Sequence, residues 1–312
     1  MLITVAICTR NRAASLTRAL GSLAAMTAPG CAWEVLVVDN ASSDATPAVL
    51  AEFAGRLPLR CEHEPQPGIA HARNRAVAAA RGHWIAWTDD DVAVSHDWLA
   101  AYARAFARWP DAVLFGGRIE PVLLPPVTPW VREHAALLAH PLGLRAFGPA
   151  PLPLSVAEDR LPFGTNFAGS TAMLRRFAFD PTLGTGPLRR LAEETAVFEA
   201  MLGAGGTGWW VPDSVVEHLV PPERQTPAYI RHYFAAAGAT AAHRYGTPGH
   251  RLFGAPRWLW RRLLTTHLRY RLSRLTAPPS VWLPHLIALA QAEGAIAYWR
   301  HAAGRAAAPD GG

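Results

Sequence analysis

Two hydrophobic rhythms alternate along the first third of the chain. Ile3 to Cys8 is a continuous apolar run of strand length, and Leu16, Leu20 and Leu23 then recur at helical spacing. Trp33 to Val38 is a second buried run that ends at Asp39. Thr46-Pro47 has the form of an N-cap and first helical position, opening a short helix to Phe53. Leu59 to His63 predicts a third strand. Ile69 to Arg81 is Ala-rich and helical, with Gly82 placed as a C-terminal stop. His83 to Thr88 predicts a fourth strand that delivers Asp89, Asp90 and Asp91 at its end. Ser95 is placed to cap a helix running through Trp98, Tyr102 and Phe106 to Trp109. This alternation predicts an α/β fold with a mostly parallel sheet covered by helices. Ligands collect at the carboxyl ends of strands in such sheets. Here those ends carry Thr9-Arg10, Asp39-Asn40 and Asp89 to Asp91.

The pattern then loosens. Ala112 to Ile119 predicts a strand. Pro121 to Pro162 is proline-rich and predicts a long loop with a short helix near 131–139, a place where lids and binding surfaces are often built. Asn166 to Leu174 predicts a strand, and Glu193 to Leu202 a helix closed by Gly203 or Gly205. Trp209 to Val211 and Val215 to Leu219 predict short strands, and Thr226 to Tyr245 a helix. The expected organisation is a first half over 1–120, a second half of the same domain over 121–245, and a helical tail over 246–312.

Composition adds a few limits. Half of the 312 residues are hydrophobic and 17% are charged, which argues against disorder over most of the length. The net charge is +6, but residues 1–250 balance at −1 and residues 251–312 at +7. A neutral body with a basic tail disfavours nucleic acid as the partner. Every cationic side chain apart from histidine is Arg, as the abundance of Ala, Gly and Pro beside it would suggest on compositional grounds alone. Arg nonetheless suits phosphate through its planar fork. Cys8, Cys31 and Cys61 are odd in number and lack C-x-x-C spacing, so no disulfide framework or zinc site is expected. A reducing, cytoplasmic setting fits, with no secretory pattern and no apolar run long enough to span a bilayer.

The Asp89-Asp90-Asp91 run carries the sharpest chemistry. Three carboxylates at one strand end repel one another unless a cation joins them. Mg²⁺ or Mn²⁺ favours carboxylate oxygen together with substrate phosphates. The plain alternative is a solvated turn whose acids precede the helix capped by Ser95.

Three more segments stand in register with that run: VAICTRNR, EVLVVDNASSDAT and GIAHARNRAVAAARGHWIAWTDDDV. Together the four parts resemble the nucleotide-sugar-binding half of glycosyltransferase family 2, over about residues 1–220. The resemblance implies a GT-A type, Rossmann-like fold and an inverting, metal-dependent sugar transfer from a nucleotide diphosphate, UDP or dTDP, to a hydroxyl of a glycan, lipid-linked or small-molecule acceptor. It implies that Thr9, Arg10 and Arg12 line the nucleotide pocket, that Asp39 bonds the base and that Arg73 meets the nucleotide or its phosphates. Asp89 would face the ribose or the metal, Asp91 would ligate Mn²⁺ or Mg²⁺, and Asp90 would touch the nucleotide or only shape the turn. Asp44 would cap the following helix.

The segment Leu191-Ala192-Glu193-Glu194-Thr195 lies where the family has a Glu-Asp pair at a helix start. By that match Glu194 is the base that takes the acceptor proton, with Glu193 the other candidate because a Glu replaces the expected Asp. Both acids also suit a helix N-terminus electrostatically. His218 matches a metal-ligand or phosphate-contact position. GTNFAGSTAMLRR resembles the acceptor-facing strand, which implicates Asn166, Gly169 and Ser170. Trp209 and Trp210 offer rings for stacking on a sugar or for the core.

Residues 251–274 carry seven Arg and no acid among Leu, Phe, Trp and Tyr. That pattern predicts a basic amphipathic helix for an anionic membrane surface, or for packing on protein. The apolar stretch 281–299 is broken by Pro284, His285, Gln291 and Glu293 and is expected to pack rather than span. Two other functions remain to be weighed. A nucleotidyltransferase usually has a glycine-rich loop after its first strand, and CTRNRAAS contains no glycine. A non-catalytic nucleotide-sugar-binding subunit would have little reason to keep both the Asp run and Glu194.

Overall fold

The computed structural model of the chain describes residues 1–183, 193–246 and 249–307. In chain order the elements are β1 (Leu2–Thr9), α1 (Ala13–Ala25), β2 (Ala32–Asp39), α2 (Thr46–Phe53), β3 (Leu59–His63), α3 (Ile69–Ala79), β4 (Trp84–Thr88), β5 (Val92–Val94), α4 (Trp98–Arg108) and β6 (Ala112–Leu123). There follow α5 (Pro129–Glu133), α6 (Ala139–Leu142), β7 (Asn166–Ser170), α7 (Thr171–Arg176), α8 (Glu193–Gly203), β8 (Thr207–Val220), α9 (Pro227–Tyr245), β9 (Arg251–Leu252), β10 (Ala255–Pro256), α10 (Arg257–Thr276) and α11 (Pro279–Ala307).

Contacts group these into two units. The first comprises Met1–Val122, Leu138–Pro181 and Glu193–Val220; the second takes 123–137 and the chain from Pro221 onward. In the first unit an eight-stranded sheet runs β3-β2-β1-β4-β7-β6-β8-β5. The pairs among β3, β2, β1 and β4 are parallel, while β4–β7, β6–β7 and β5–β8 are antiparallel. The α/β architecture read from the sequence is therefore present, with parallel pairing in the first ninety or so residues where strand and helix alternate. Buried side chains cover both sheet faces. Ile3, Val5, Ile7, Val35, Val37, Trp98 and Phe106 belong to one cluster, and Ala6, Leu36, Val38, Ile85, Trp87 and Phe167 to the other. Consecutive strand residues thus point to opposite cores, as full burial of a parallel strand requires.

Several predicted elements differ. The strand expected over 166–174 stops at Ser170, because Thr171 donates its N–H to His83 and its hydroxyl to the Gly82 carbonyl and the chain turns into α7. The two short strands expected near 209–219 are one strand, β8, that passes through Pro212. Short β5 was not visible as a separate element. Ala45 rather than Thr46 precedes the first turn of α2; Asp44 accepts from the Thr46 N–H and hydroxyl and from Ala13 N–H, so one carboxylate serves the starts of α1 and α2.

Asn166, expected at the acceptor, has a different job. Its Oδ1 accepts from Trp98 Nε1 at 2.9 Å and Tyr102 Oη at 2.8 Å, and its Nδ2 donates to the Arg118 and Ser214 carbonyls. It is fully buried and every hydrogen-bonding position is used. Gly169 is equally internal: a Cβ there would meet Leu174 at 2.9 Å. Ser170 pairs with Trp84 at the start of β4, about 13 Å along the strand from its acidic end at ~3.3 Å per residue. Trp210 is buried with its Nε1 bonded to the Gly148 carbonyl, and Trp209 is stacked on Trp109 at 4.6 Å. Asn166, Gly169 and Trp210 are thus enclosed in the core, whereas Ser170 and Trp209 are half-buried.

In the second unit α9, which the sequence reading groups with the acceptor half, packs on α11, and α10 packs on α11. The crossing is closest at Gly238 and Gly294, where a Cβ would fall 2.1 Å from the Gln291 carbonyl oxygen and 1.8 Å from that of Ala235. Residues 281–299 thus pack, as expected, and no helix among the described residues is long and apolar enough to cross a membrane.

Two stability outcomes follow. Asn166→Leu strands two donors and two carbonyls in the core, each worth about 1–3 kcal/mol, so urea unfolding should show a loss of at least about 3 kcal/mol. Gly294→Ala overpacks the α9–α11 crossing and should cost about 1–3 kcal/mol in the same assay; an unchanged midpoint would contradict the close approach.

Candidate active site

Strand register brings the candidate residues to one edge. Thr9, Asp39 and His63 are neighbours across β1, β2 and β3 at their carboxyl ends. Parallel pairing of β1 with β4 carries the line on to the Asp89-Asp90-Asp91 run. On the other side of that run, β5 pairs with β8 so that Val92 faces His218, and Leu219 N–H donates to the Asp91 carbonyl. The topology alone therefore sets His218 beside the acids.

Each aspartate has its own partner. Asp89 accepts from Thr165 Oγ1 at 2.8 Å. Burial pushes its carboxyl above the ordinary range against the pull of Arg73. Asp90 accepts from Thr9 Oγ1 at 2.7 Å and from Arg12 at 2.9 Å, which ties the ends of β1 and β4 together. Burial still pushes its carboxyl up to about 6. Asp91 Oδ2 takes the same Arg12 guanidinium at 3.1 Å, and its Oδ1 lies 3.9 Å from His218 Nε2. Arg12, expected at the nucleotide, thus bridges two of the three acids. Arg10 follows β1 at an exposed position. Asp39 is buried and accepts from Ser42 N–H, which shapes the turn after β2.

His218 is held by its other nitrogen. Nδ1 lies 2.7 Å from the Leu142 carbonyl, which can only accept, so Nδ1 carries a proton and Nε2 is the nitrogen turned toward Asp91. Gly143, at φ +75°, closes over the ring, and a Cβ there would sit 2.7 Å from Nδ1. A carbonyl-oriented imidazole whose Nε2 faces a carboxylate is the usual dress of a metal-binding histidine. No three of His, Cys, Asp and Glu among the described residues form a ready metal cluster. The donor set instead suits an ion held by one or two protein groups and completed by substrate phosphates.

The second acidic group enters from α8. Glu193 and Glu194 open this helix; Leu191 and Ala192 before them lie outside the described residues. Arg73, on α3, reaches Glu193 at 3.0 Å and Glu194 at 3.5 Å and lies over the Phe179 ring. Its guanidinium is buried, and the two glutamates with Asp89 push its pKa further up, so it stays charged. Arg73 therefore faces carboxylates, where the sequence reading turned it toward nucleotide phosphates. Burial first, and Glu194 second, push the Glu193 carboxyl up to about 7. Glu194 is the less enclosed of the pair and accepts from Gly164 N–H at 3.3 Å.

Sequence reasoning missed Thr165 and Gly143 and gave Asn40 a place at a strand end but no role. Asn40 accepts from Gly68 N–H and donates to the Glu64 and Gln66 carbonyls, fixing the loop that starts α3. Its position beside Asp39 was the available signal. Thr165 and Gly143 reach the site only through tertiary contacts.

The sequence model described as Glycosyl transferase family 2 matches residues 4–180. The succinoglycan biosynthesis protein ExoM of Rhizobium meliloti is 29% identical over 266 residues, 80% of this chain and 77% of ExoM. Among solved structures, S. aureus TarS 1–349 in complex with UDP superposes with a TM-score of 0.57 at 16% identity, covering 98% of this chain and 92% of TarS 1–349. The mannosyltransferase PcManGT from Pyrobaculum calidifontis, in complex with GDP-Man and Mn²⁺, gives 0.56 at 22% identity over 98% of this chain and 75% of its own. The structural likenesses bear on the fold and the family match on the sequence. With that match covering more than half of its length, this chain belongs to glycosyltransferase family 2 and is a glycosyltransferase of GT-A fold.

Proposed function

We propose that the chain transfers a sugar, with inversion, from a UDP or dTDP sugar to a hydroxyl of a glycan acceptor, one carried on lipid at the cytoplasmic face of a membrane. The observation that carries this reading is the meeting of two acidic groups on one unit, Asp89 to Asp91 with His218 and Glu193 with Glu194, at the carboxyl edge of the parallel strands. TarS is solved with UDP and UDP-GlcNAc and PcManGT with GDP-Man and Mn²⁺, which supports a nucleotide sugar as donor and a divalent ion beside it.

In this reading Thr9, Arg10 and Asp39 receive the nucleoside at the strand ends, and Asp91 with His218, backed by Asp89, would hold Mn²⁺ or Mg²⁺. Such an ion, when bound, supplies positive charge to the departing diphosphate. Arg12 is within reach to leave the aspartates for phosphate oxygens once another cation serves them. Glu194 takes the acceptor proton as the oxygen attacks the anomeric carbon opposite the leaving group. Arg73 positions Glu194, while Glu193, partly protonated near neutrality, repels Glu194 less than a full carboxylate would.

Three outcomes test this. Asp91→Ala should weaken UDP binding in Mn²⁺ by at least about tenfold by calorimetry, and chelation of the metal should reduce the wild type to the same level. Glu194→Gln should bind UDP as the wild type does and lose about 10²–10⁴-fold in turnover; loss of nucleotide binding in that variant would remove it as the base. The pH prediction concerns Glu193. Its folded-state pKa is raised, so its contribution to stability is complete below the unfolded value near 4.5 and disappears as pH rises through about 7. Glu193→Gln, which imitates the protonated form, should therefore gain stability relative to wild type between pH 5 and pH 8, on the order of 1–2 kcal/mol in urea unfolding. Parallel pH profiles would show that the carboxyl is not held protonated.

A further inference from the structure

The basic helix α10 is turned inside out relative to a helix of a soluble protein. At 100° per residue, Leu259, Thr266 and Ser273 lie along one side, and all three are buried. The two hydroxyls on this inward side are satisfied within the helix, Thr266 by the Arg262 carbonyl at 2.7 Å and Ser273 by that of Arg269 at 2.7 Å. On the opposite side Leu264, Leu268, Leu272 and Leu275 follow one another at spacings of four, four and three. They are 61%, 53%, 68% and 84% exposed. An amphipathic helix packed on a protein core places leucine inward and hydroxyls outward. Here the order is reversed over three turns.

The charges on α10 decide what covers the stripe. Arg257, Arg261, Arg262, Arg269, Arg271 and Arg274 are all exposed, and the helix has no acid. Arg257, Arg261 and Arg271 fall on the leucine side by the same angular count. A second copy meeting this face would oppose arginine with arginine and offer no carboxylate. An anionic lipid surface offers the complement of both features: acyl chains for the leucines and phosphates for guanidinium groups that reach up along the stripe. One more apolar group stands next to it. The β9–β10 turn presents Phe253, 77% exposed at φ +48°, and is tied to the start of α10 by Trp260 Nε1 donating to the Leu252 carbonyl. Trp258, also exposed, lies in the first turn of α10.

We propose that the face of α10 carrying Leu264, Leu268, Leu272 and Leu275, flanked by Arg257, Arg261 and Arg271, lies on an anionic phospholipid surface, with Phe253 and Trp258 beside it. The helix lies in the interface, parallel to the bilayer plane. This deepens the proposed transfer to a lipid-borne acceptor and rests on that reading for its purpose, though not for its geometry.

Flotation of the full chain with vesicles tests it. Binding to vesicles rich in phosphatidylglycerol should exceed binding to phosphatidylcholine vesicles by at least about tenfold and should fall with salt. Leu268→Ser combined with Leu272→Ser should lower binding to the anionic vesicles by about tenfold or more. UDP binding by the same variant should be unchanged, because both side chains are exposed on the second unit. Arg261→Gln with Arg271→Gln should weaken binding and flatten its salt dependence. The proposal is overturned by flotation no greater than without vesicles, by leucine variants that float like the wild type, or by a vesicle-free dimer that the leucine variants abolish. Vesicle binding by a protein that binds no nucleotide would remove the transferase reading and leave this one standing.

Discussion

A buried guanidinium holds the site together. Arg73 stands on α3 among the nucleotide-side elements, and its partners Glu193 and Glu194 arrive 120 residues later at the start of α8. A charge taken from water costs several kcal/mol unless its hydrogen bonds and counter-charge are supplied. Here the two glutamates supply them. Removing either side would leave the other buried and uncompensated, which is dearer than never having built the pair. The contact thus fixes α8, and with it the proposed base Glu194, relative to the sheet edge.

The same logic appears in neutral form at Asn166. Its amide satisfies Trp98, Tyr102, Arg118 and Ser214, joining α4, β6 and β8 around the start of β7. That strand starts beside the acidic end of β4, where Thr88 pairs with Asn166, and Thr165 immediately before it reaches Asp89. The antiparallel half of the sheet therefore contributes by being rigid. It carries His218 to the acids through β8 and holds Thr165 in place through β7.

How much of this could be read in the sequence depended on the range of the interaction. The strands and helices up to Trp109 were legible because their burial is set by local periodicity, and the sheet-edge polar residues followed from strand ends. Asp44 was recognised as a cap for a similar reason, since its partners lie within two residues on one side. Arg73 was found, but its glutamate partners were not, because nothing in its own segment announces a pair 120 residues on. Asn166 and Gly169 were assigned to an acceptor surface from a motif whose residues here are enclosed in the core, and the core alternative offered for Trp210 matches its burial. Polar and aromatic residues in a strand satisfy a core as readily as a ligand, and burial alone separates the two. The outward leucines of α10 were hidden by the same limit: spacing shows that four leucines share a side, but not which side faces the protein.

Burial at the sheet edge governs the acids of the site. Among the described residues, Asp89, Asp90, Asp91, Glu193 and Glu194 lie with the guanidinium groups of Arg12 and Arg73. The carboxyls of Asp89, Asp90 and Glu193 are all pushed upward, with burial the leading cause in each. An acidic group that binds protons above its ordinary range is also one that gains most from a cation of higher charge. The proposed function puts such a cation at Asp91 and His218, whose Oδ1 and Nε2 lie 3.9 Å apart. Arg12 is the group that would then be released, and it is the exposed one of the two arginines, whereas Arg73 is enclosed and stays. The site thus holds one enclosed guanidinium that organises the protein and one exposed guanidinium that, in the proposed function, is traded for metal and phosphate.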